Sequence, residues 1–134
     1  MTNHDPALLA GRFLASAIFI LGGYGKLMAA VATKAYFVNI GVPLPEVAYY
    51  VAVAVELGGG LLFLLGFQTR LVALVLAVFC IATALMAHNN FADRGQMTNF
   101  LKNIAMAGGF LAFVAAGAGR FSLDSILARR PATA

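Results

Sequence analysis

Four long apolar stretches constrain the fold of this chain more than any other feature. They cover approximately residues 7–28, 46–67, 71–88 and 100–118. Each is close to the roughly 20 residues that an α-helix needs to cross the hydrocarbon core of a bilayer. Only 10% of the 134 residues are charged and 62% are hydrophobic, which is outside the range of ordinary soluble domains. The sequence therefore predicts an integral membrane protein.

The expected fold class is all-α. Helices and closed barrels are the structures that satisfy every backbone hydrogen bond in lipid, and no stretch here alternates apolar and polar residues as barrel strands do. We therefore predict an integral membrane four-helix bundle. No linker rich in proline, serine or charge divides residues 1–134, so a single domain is expected. Four spans place both termini on the same side of the membrane.

A shorter helix is expected between the first and second spans. Residues 29–40 mix polar and apolar side chains, which is typical of a short interfacial or re-entrant helix. Gly41 can end this helix, and Pro43 prevents its continuation. Pro45 is favourable in the first turn of the second span.

Basic residues flank the spans at both ends of the predicted bundle. Five lie at the end that bears the termini, namely Arg12, Arg70, Arg120, Arg129 and Arg130, and four lie opposite, namely Lys26, Lys34, Arg94 and Lys102. Lys26 and Lys102 fall within or at the edge of helices, so the positive-inside rule predicts cytoplasmic termini. We interpret the arginines as interfacial anchors. The same interpretation applies to three tyrosines near the opposite interface, Tyr24, Tyr49 and Tyr50.

One acidic residue, Glu56, lies about midway along the second span, roughly 15 Å from its start. A charge at this depth is costly, and such residues usually have a partner. We expect that partner to be Lys26 or Lys102, with Asn103 or His88 completing the hydrogen bonds of the carboxyl group. Without a partner, the carboxyl group would be protonated.

Residues spaced three or four apart place these polar groups on helix faces that can meet. The first span carries Arg12, Ser16, Phe19, Gly23 and Lys26 on one face, and the second span carries Tyr49, Val53, Glu56, Gly60 and Phe63. Glycines at 22–23, 58–60 and 108–109 predict close helix packing. A structural alternative remains, in which an ion pair involving Glu56 only specifies helix register.

The composition excludes several classes of site. Cys80 is the only cysteine, so the chain has no intrachain disulfide or CxxC redox pair, and we predict that Cys80 is a small core residue. His4 and His88 are the only histidines, and His4 lies outside the spans, so we expect neither a bis-histidine haem nor a metal centre. The net charge of +4 suits lipid headgroups, and no nucleic-acid partner is expected.

Short motifs recur along the chain in a characteristic order. They are Gly22–Leu27, Gly41–Pro45, Glu56 with the glycines after it, Gly66–Arg70, Asn99–Asn103, Gly108–Gly109 and Gly119–Asp124. Their order and spacing resemble the DoxX family over nearly the whole chain.

This resemblance implies a small four-helix protein of the bacterial inner membrane. DoxX proteins are often described as oxidoreductases because related chains are subunits of quinone-linked systems such as thiosulfate to quinone oxidoreductase. More distant relatives are membrane chaperones or cargo receptors, so the fold alone leaves the function open. The family pattern points to six residues of this chain, Lys26, Glu56, Arg70, His88, Lys102 and Asn103.

Three functional hypotheses follow, and whether the chain is an enzyme stays open. In the first, the chain is the membrane subunit of a quinone-linked oxidoreductase: Glu56 and His88 handle protons, while Lys26, Lys102 and Asn103 bind the quinone headgroup. Electrons would come from a redox partner protein. In the second, the chain is a membrane scaffold or chaperone for a partner protein, and the polar cluster is purely structural. Besides the lipid bilayer, we expect the chain to associate with a redox partner protein or with further copies of itself as a homo-oligomer. In the third, it binds or transports a small lipophilic molecule, although four short helices leave little room for alternating access.

Overall fold

The fold of this chain is all-α, as predicted. A computed structural model describes residues 4–129. Within that range, four helical segments are long and apolar enough to cross a membrane: Asp5–Met28, Pro45–Leu65, Thr69–Ala87 and Arg94–Ala116. The elements in chain order are α1 (Asp5–Met28), α2 (Ala30–Asn39), α3 (Pro45–Val53), a π-helix (Ala54–Gly59), α4 (Gly60–Leu65), α5 (Thr69–Ala87), α6 (Arg94–Ala116) and α7 (Leu123–Ala128). The second span is therefore α3, the π-helix and α4 in succession.

The start of α6 differs from the sequence prediction. The helix begins at Arg94, whereas the apolar stretch suggested a start near residue 100. The Asp93 side chain accepts a hydrogen bond of 3.0 Å from the backbone N–H of Gln96 and so caps the helix. Capping allows a polar first turn to be helical, and the α5–α6 connection is shorter than the exposed loop expected over residues 89–99.

The predicted helix between the first two spans is α2. Its last residue is Asn39, and Gly41 follows just after its end, as expected, with a φ of +72°, a conformation that glycine adopts readily. The N–H of Gly41 donates to Val38 O at 3.1 Å, and that of Val42 donates to Phe37 O at 3.0 Å. No residue of α2 is buried, and the helix packs mainly on α3.

The four spans pack as two pairs. One pair is α1 with the second span, and the other is α5 with α6. Edge-on aromatic contacts join the pairs, since the Phe110 ring centroid lies 5.3 Å from that of Phe19 and 5.0 Å from that of Phe63. Cys80 is fully buried in this core, as predicted. We call the end that bears α7 the terminal end, and the end that bears α2 and the α5–α6 connection the distal end.

The glycine prediction is confirmed at two positions. A methyl group added at Gly23 would lie 2.5 Å from the backbone nitrogen of Leu57, and one added at Gly60 would lie 3.0 Å from Ile20 Cγ1. These glycines let α1 approach the second span closely. The prediction is wrong for others: methyl groups at Gly58, Gly108 and Gly109 meet no atom within 4 Å, because these glycines face away from the neighbouring helices.

Arg12 corrects the interpretation of the arginines as interfacial anchors. Its side chain is only 1% exposed, inside the terminal end. It donates hydrogen bonds to the carbonyl oxygen of Leu64, at 2.8 Å, and to that of Phe121. Arg12 therefore ties α1 to the second span and to the segment before α7. Arg70, Arg120 and Arg129 are exposed, whereas Arg130 lies outside the described residues.

The tyrosine prediction also needs correction. Tyr24 and Tyr50 are exposed, as an interfacial aromatic belt requires. Tyr49 is only 3% exposed, and its hydroxyl donates to Lys26 O at 3.2 Å. It lies inside the bundle because it belongs to the face of the second span that packs on α1.

Candidate functional site

An ion pair between the first two spans forms the centre of the candidate site. Lys26 Nζ lies 2.8 Å from Glu56 Oε2. The Glu56 side chain is 12% exposed and that of Lys26 is 29% exposed. Of the two partners predicted for Glu56, the structure selects Lys26. The pair joins the last turn of α1 to the middle of the second span.

Local backbone structure determines where the pair lies. Glu56 belongs to the π-helix Ala54–Gly59, and such wider turns inside α-helices are frequent at functional sites. Gly22 faces the carboxylate, since a methyl group added there would lie 3.3 Å from Glu56 Oε2. The Tyr49 hydroxyl holds the carbonyl of Lys26. A small residue on α1 thus provides space for the carboxylate, and a tyrosine on α3 supports its partner.

The ion pair lines a cavity at the distal end, which we call the distal cavity. Its volume is about 450 Å³, and its walls come from α1, α2, the second span, α5 and α6. Most lining residues are apolar, including Phe19, Phe37 and Phe79. The side chains around it that carry polar or charged groups are Lys26, Tyr36, Glu56, Thr83, His88, Lys102 and Asn103. All five predicted site residues therefore line one cavity.

The wall formed by α5 and α6 has its own hydrogen bonds. Asn103 is 8% exposed; its Nδ2 donates to Asn99 O at 2.9 Å, and its Oδ1 accepts from Thr83 Oγ1 at 3.2 Å. The exposed Lys102 donates to Asn99 Oδ1 at 3.0 Å. Thr83 and Asn99 were not predicted as site residues. The available signal for Thr83 was a hydroxyl side chain in the interior of the most apolar span.

His88 follows the last residue of α5, at the distal end of the cavity. Its Nδ1 lies 2.8 Å from Gln96 Oε1 in the first turn of α6. Gln96 was not predicted as a site residue, because nothing in the neighbouring sequence indicates a contact with His88. The expectation that Asn103 or His88 completes the hydrogen bonds of Glu56 is wrong, since both bond to other residues.

Arg70 does not join this cluster. It lies at the terminal end, where its Nη1 donates to Val114 O at 2.9 Å. There it lines a second cavity of about 290 Å³ together with Thr69 and Asp124. Of the six residues to which the family resemblance points, five line the distal cavity, and Arg70 lies at the opposite end of the bundle.

The distal cavity offers both donors and acceptors. Lys26 uses one of its three N–H bonds on Glu56, and Asn103 uses one of its two on Asn99, so hydrogens remain for a ligand. Glu56 Oε1 and the second ring nitrogen of His88 are the acceptors. Among residues 4–129, no group of three or more His, Cys, Asp or Glu side chains could hold a metal ion. The arrangement can bind a polar head attached to an apolar body.

Comparison with known proteins places these features in a family context. The family model DoxX matches residues 7–89. The chain is 38% identical over 129 residues to "Inner membrane protein YqjF" of Escherichia coli (strain K12), covering 94% of this chain and 95% of that protein. It is 35% identical over 122 residues to "Inner membrane protein YphA" of the same organism, covering 87% of each. No solved structure matches the chain significantly.

Proposed function

The chain belongs to the DoxX family of inner-membrane proteins, and from this premise we propose that it is the membrane subunit of a quinone-linked oxidoreductase system. The distal cavity binds the quinone headgroup and exchanges its protons. A redox partner protein supplies the electrons. One cysteine and two histidines are too few residues for this chain to hold a redox centre of its own.

The Lys26–Glu56 pair in the wall of the distal cavity carries this proposal. Ligand sites are usually concave, mostly apolar and some 300–1,000 Å³ in volume, with a few polar groups that orient the ligand. The distal cavity has a volume of about 450 Å³ and fits that description. A quinone carbonyl oxygen accepts hydrogen bonds, which the unused N–H groups of Lys26 and Asn103 can donate. Apolar side chains around them suit the ring and the start of an isoprenoid tail.

Proton exchange follows from the chemistry of the ligand. A quinone becomes a quinol by taking two electrons from the partner protein and two protons at its carbonyl oxygens. We assign the proton exchange to Glu56 and His88, because carboxyl and imidazole groups are common general acids and bases. Lys102, at the exposed side of the cavity, completes the set of groups in contact with the ligand.

Binding of a short-chain quinone to the purified protein in lipid nanodiscs tests the proposal. We expect saturable binding that weakens about tenfold in Lys26→Met and in Asn103→Leu, the loss of roughly one hydrogen bond each. Lys34→Met is the matched control, because Lys34 pairs with Glu46 at 2.7 Å and does not line the cavity. Equal binding in all three variants would contradict the proposed site.

A competition arm separates lipophile binding from quinone recognition. An alkyl chain of matched length that lacks carbonyl groups should displace the quinone poorly. If it competes as well as the quinone does, the cavity binds or transports lipophilic molecules without recognising a carbonyl headgroup, and the redox proposal fails.

A membrane scaffold is the second candidate function. The glycines at 58, 108 and 109 leave open space along the outer faces of the second span and α6, where another membrane helix could pack. Glu56→Gln distinguishes the candidates. A scaffold keeps its partner and the partner's cellular level in this variant, whereas a redox subunit loses quinone-dependent turnover while its complex stays assembled.

We also propose that both termini are cytoplasmic. Three exposed arginines support this orientation at the terminal end, namely Arg70, Arg120 and Arg129. A fluorescent protein fused to the C-terminus should then be fluorescent in bacterial cells, and an alkaline phosphatase fused there should be inactive. An active phosphatase would reverse the orientation and place the distal cavity near the cytoplasm.

A further inference from the structure

One hydrogen bond at the distal cavity determines which ring nitrogen of His88 carries the hydrogen. His88 Nδ1 lies 2.8 Å from Gln96 Oε1. An amide oxygen can only accept, so Nδ1 carries the hydrogen, and Nε2 of the neutral ring is an acceptor. In a neutral imidazole ring only one nitrogen carries a hydrogen, so a bond from Nδ1 to an acceptor leaves Nε2 without one. Gln96 thus selects one of the two tautomers of His88.

Gln96 is itself held in place. Its backbone N–H donates to Asp93 Oδ1 at 3.0 Å, in the cap that begins α6. The short connection between α5 and α6 brings this first turn next to His88, which directly follows α5. The helix cap therefore fixes the backbone of Gln96 within reach of His88.

The charged groups of the distal cavity differ from His88 in the hydrogen bonds that they can make with a ligand. Lys26 and Lys102 are hydrogen-bonded to Glu56 and Asn99 and can only donate. Glu56 accepts, but one of its oxygens is already paired with Lys26. Within residues 4–129, no protein group bonds to His88 Nε2. In the neutral ring, this nitrogen is therefore an acceptor that stays available for a ligand.

We infer that Gln96 is a positioning residue that holds His88 as the Nδ1–H tautomer, so that Nε2 accepts a hydrogen bond from a hydroxyl group of the reduced, quinol form of the ligand. The ligand half of this inference rests on the proposed function, and the tautomer half does not. A quinone has no hydroxyl hydrogen to donate, so the arrangement favours the quinol. Gln96 would then influence which redox form the cavity retains.

Nitrogen NMR of the ligand-free protein tests the tautomer. With ¹⁵N-labelled histidine in nanodiscs at alkaline pH, His4→Ala leaves the signals of His88 alone. In the His4→Ala protein, we expect Nδ1 of His88 to have the ¹⁵N chemical shift of a protonated ring nitrogen. The same shift is expected when Gln96→Glu is added, because the carboxylate also accepts a hydrogen bond from Nδ1. In Gln96→Leu, the proton should move to Nε2, the form that free imidazole side chains prefer. Thr98→Val, in the same turn, should leave the spectrum unchanged. The inference is overturned if His88 carries its hydrogen on Nε2 while Gln96 is intact, or if the ¹⁵N spectrum does not change in Gln96→Leu.

Binding of both redox forms tests the ligand half. Under anaerobic conditions, Gln96→Leu should bind a short-chain hydroquinone roughly three- to tenfold more weakly, the value of one hydrogen bond. Binding of the corresponding quinone should be unchanged, and Gln96→Glu should restore hydroquinone binding. Equal effects on both forms, or on neither, overturn the role of Nε2 while the proposed function stands. If the native protein binds neither form, the proposed function and the role of Nε2 both fail, and the NMR result decides the tautomer alone.

Discussion

Lys26 and Glu56 form an ion pair that crosses between two transmembrane segments, with Nζ 2.8 Å from Oε2. The two ends of the pair are not equally enclosed, since the carboxylate is 12% exposed and the lysine side chain 29% exposed. A charge that is buried without its partner costs far more than the intact pair contributes. Removing either residue should therefore cost more than removing both charges together.

This difference between removing one charge and removing both can be measured with single and double variants. Lys26→Met should lower the free energy of unfolding in mixed micelles by about 3 kcal/mol, because it leaves the carboxylate of Glu56 without its cation. Lys26→Met combined with Glu56→Gln should recover part of that loss. The pair of Lys34 and Glu46 serves as the control: the Glu46 side chain is 67% exposed, so neutralising the pair should change stability little. A double variant as unstable as the sum of its single variants would show that the two side chains do not interact.

Arg12 should be important for the stability of the terminal end. Arg12→Met removes the donor of the hydrogen bonds to the backbone carbonyl groups of Leu64 and Phe121, and a hydrogen bond from a charged donor contributes roughly 1.5–3 kcal/mol. We expect the free energy of unfolding to fall by about 3 kcal/mol in the same assay. Arg12→Lys should recover part of this loss, because lysine keeps the charge but lacks the planar guanidinium group that donates to both carbonyl oxygens. Arg94→Met, at an exposed position, should behave like the native protein. Equal stability of Arg12→Met and Arg94→Met would contradict the structural role.

The two classes of glycine should respond oppositely to added volume. Gly23→Ala should destabilise the bundle by about 1–3 kcal/mol, because its methyl group would meet the backbone of Leu57. Gly108→Ala has open space and removes a flexible residue from a helix, so it should be neutral or slightly stabilising in the isolated protein. Thermal unfolding in detergent compares the two variants. If Gly108→Ala is harmless alone but disrupts a complex in membranes, the outer face of α6 is an interface.

Asp124 should make stability depend on pH at the acid end. Burial alone would raise the pKa of its carboxyl group, but hydrogen bonds from Thr69 and from the backbone N–H of Gln68, together with the charge of Arg12, hold this pKa below its ordinary value. The stabilisation is therefore complete above the unfolded-state pKa of about 3.9 and is lost as the pH falls through the lower folded-state pKa.

Asp124→Asn should accordingly be less stable than the native protein at about pH 7, and the difference should shrink below about pH 4 as the native carboxylate is protonated. Melting temperatures across this range measure the difference. Thr98→Val, which removes no carboxyl group, should differ from the native protein by a constant amount. A difference for Asp124→Asn that is equally constant would show that its carboxylate does not stabilise the folded state.

Much of the fold could be predicted from the sequence because local rules decide it. Twenty apolar residues in succession favour a membrane-spanning helix whatever surrounds them, and proline and glycine act on the backbone at their own positions. The helix α2, its end just before Gly41 and the start of the second span at Pro45 follow from these rules. The spacing of residues also predicted which faces of α1 and the second span meet, because helical periodicity determines which side chains share a face.

The partners within the bundle were decided by tertiary structure. Lys26 and Lys102 were equivalent candidates for Glu56 in the sequence, and only the packing of α1 on the π-helix separates them. Arg12 and Gln96 look like ordinary polar residues near helix ends. Their buried or positioning contacts depend on segments far along the chain, or on the capped turn that starts α6. Local chemistry therefore determined the spans and the need for a buried partner, whereas the relative placement of the helices determined which side chains meet.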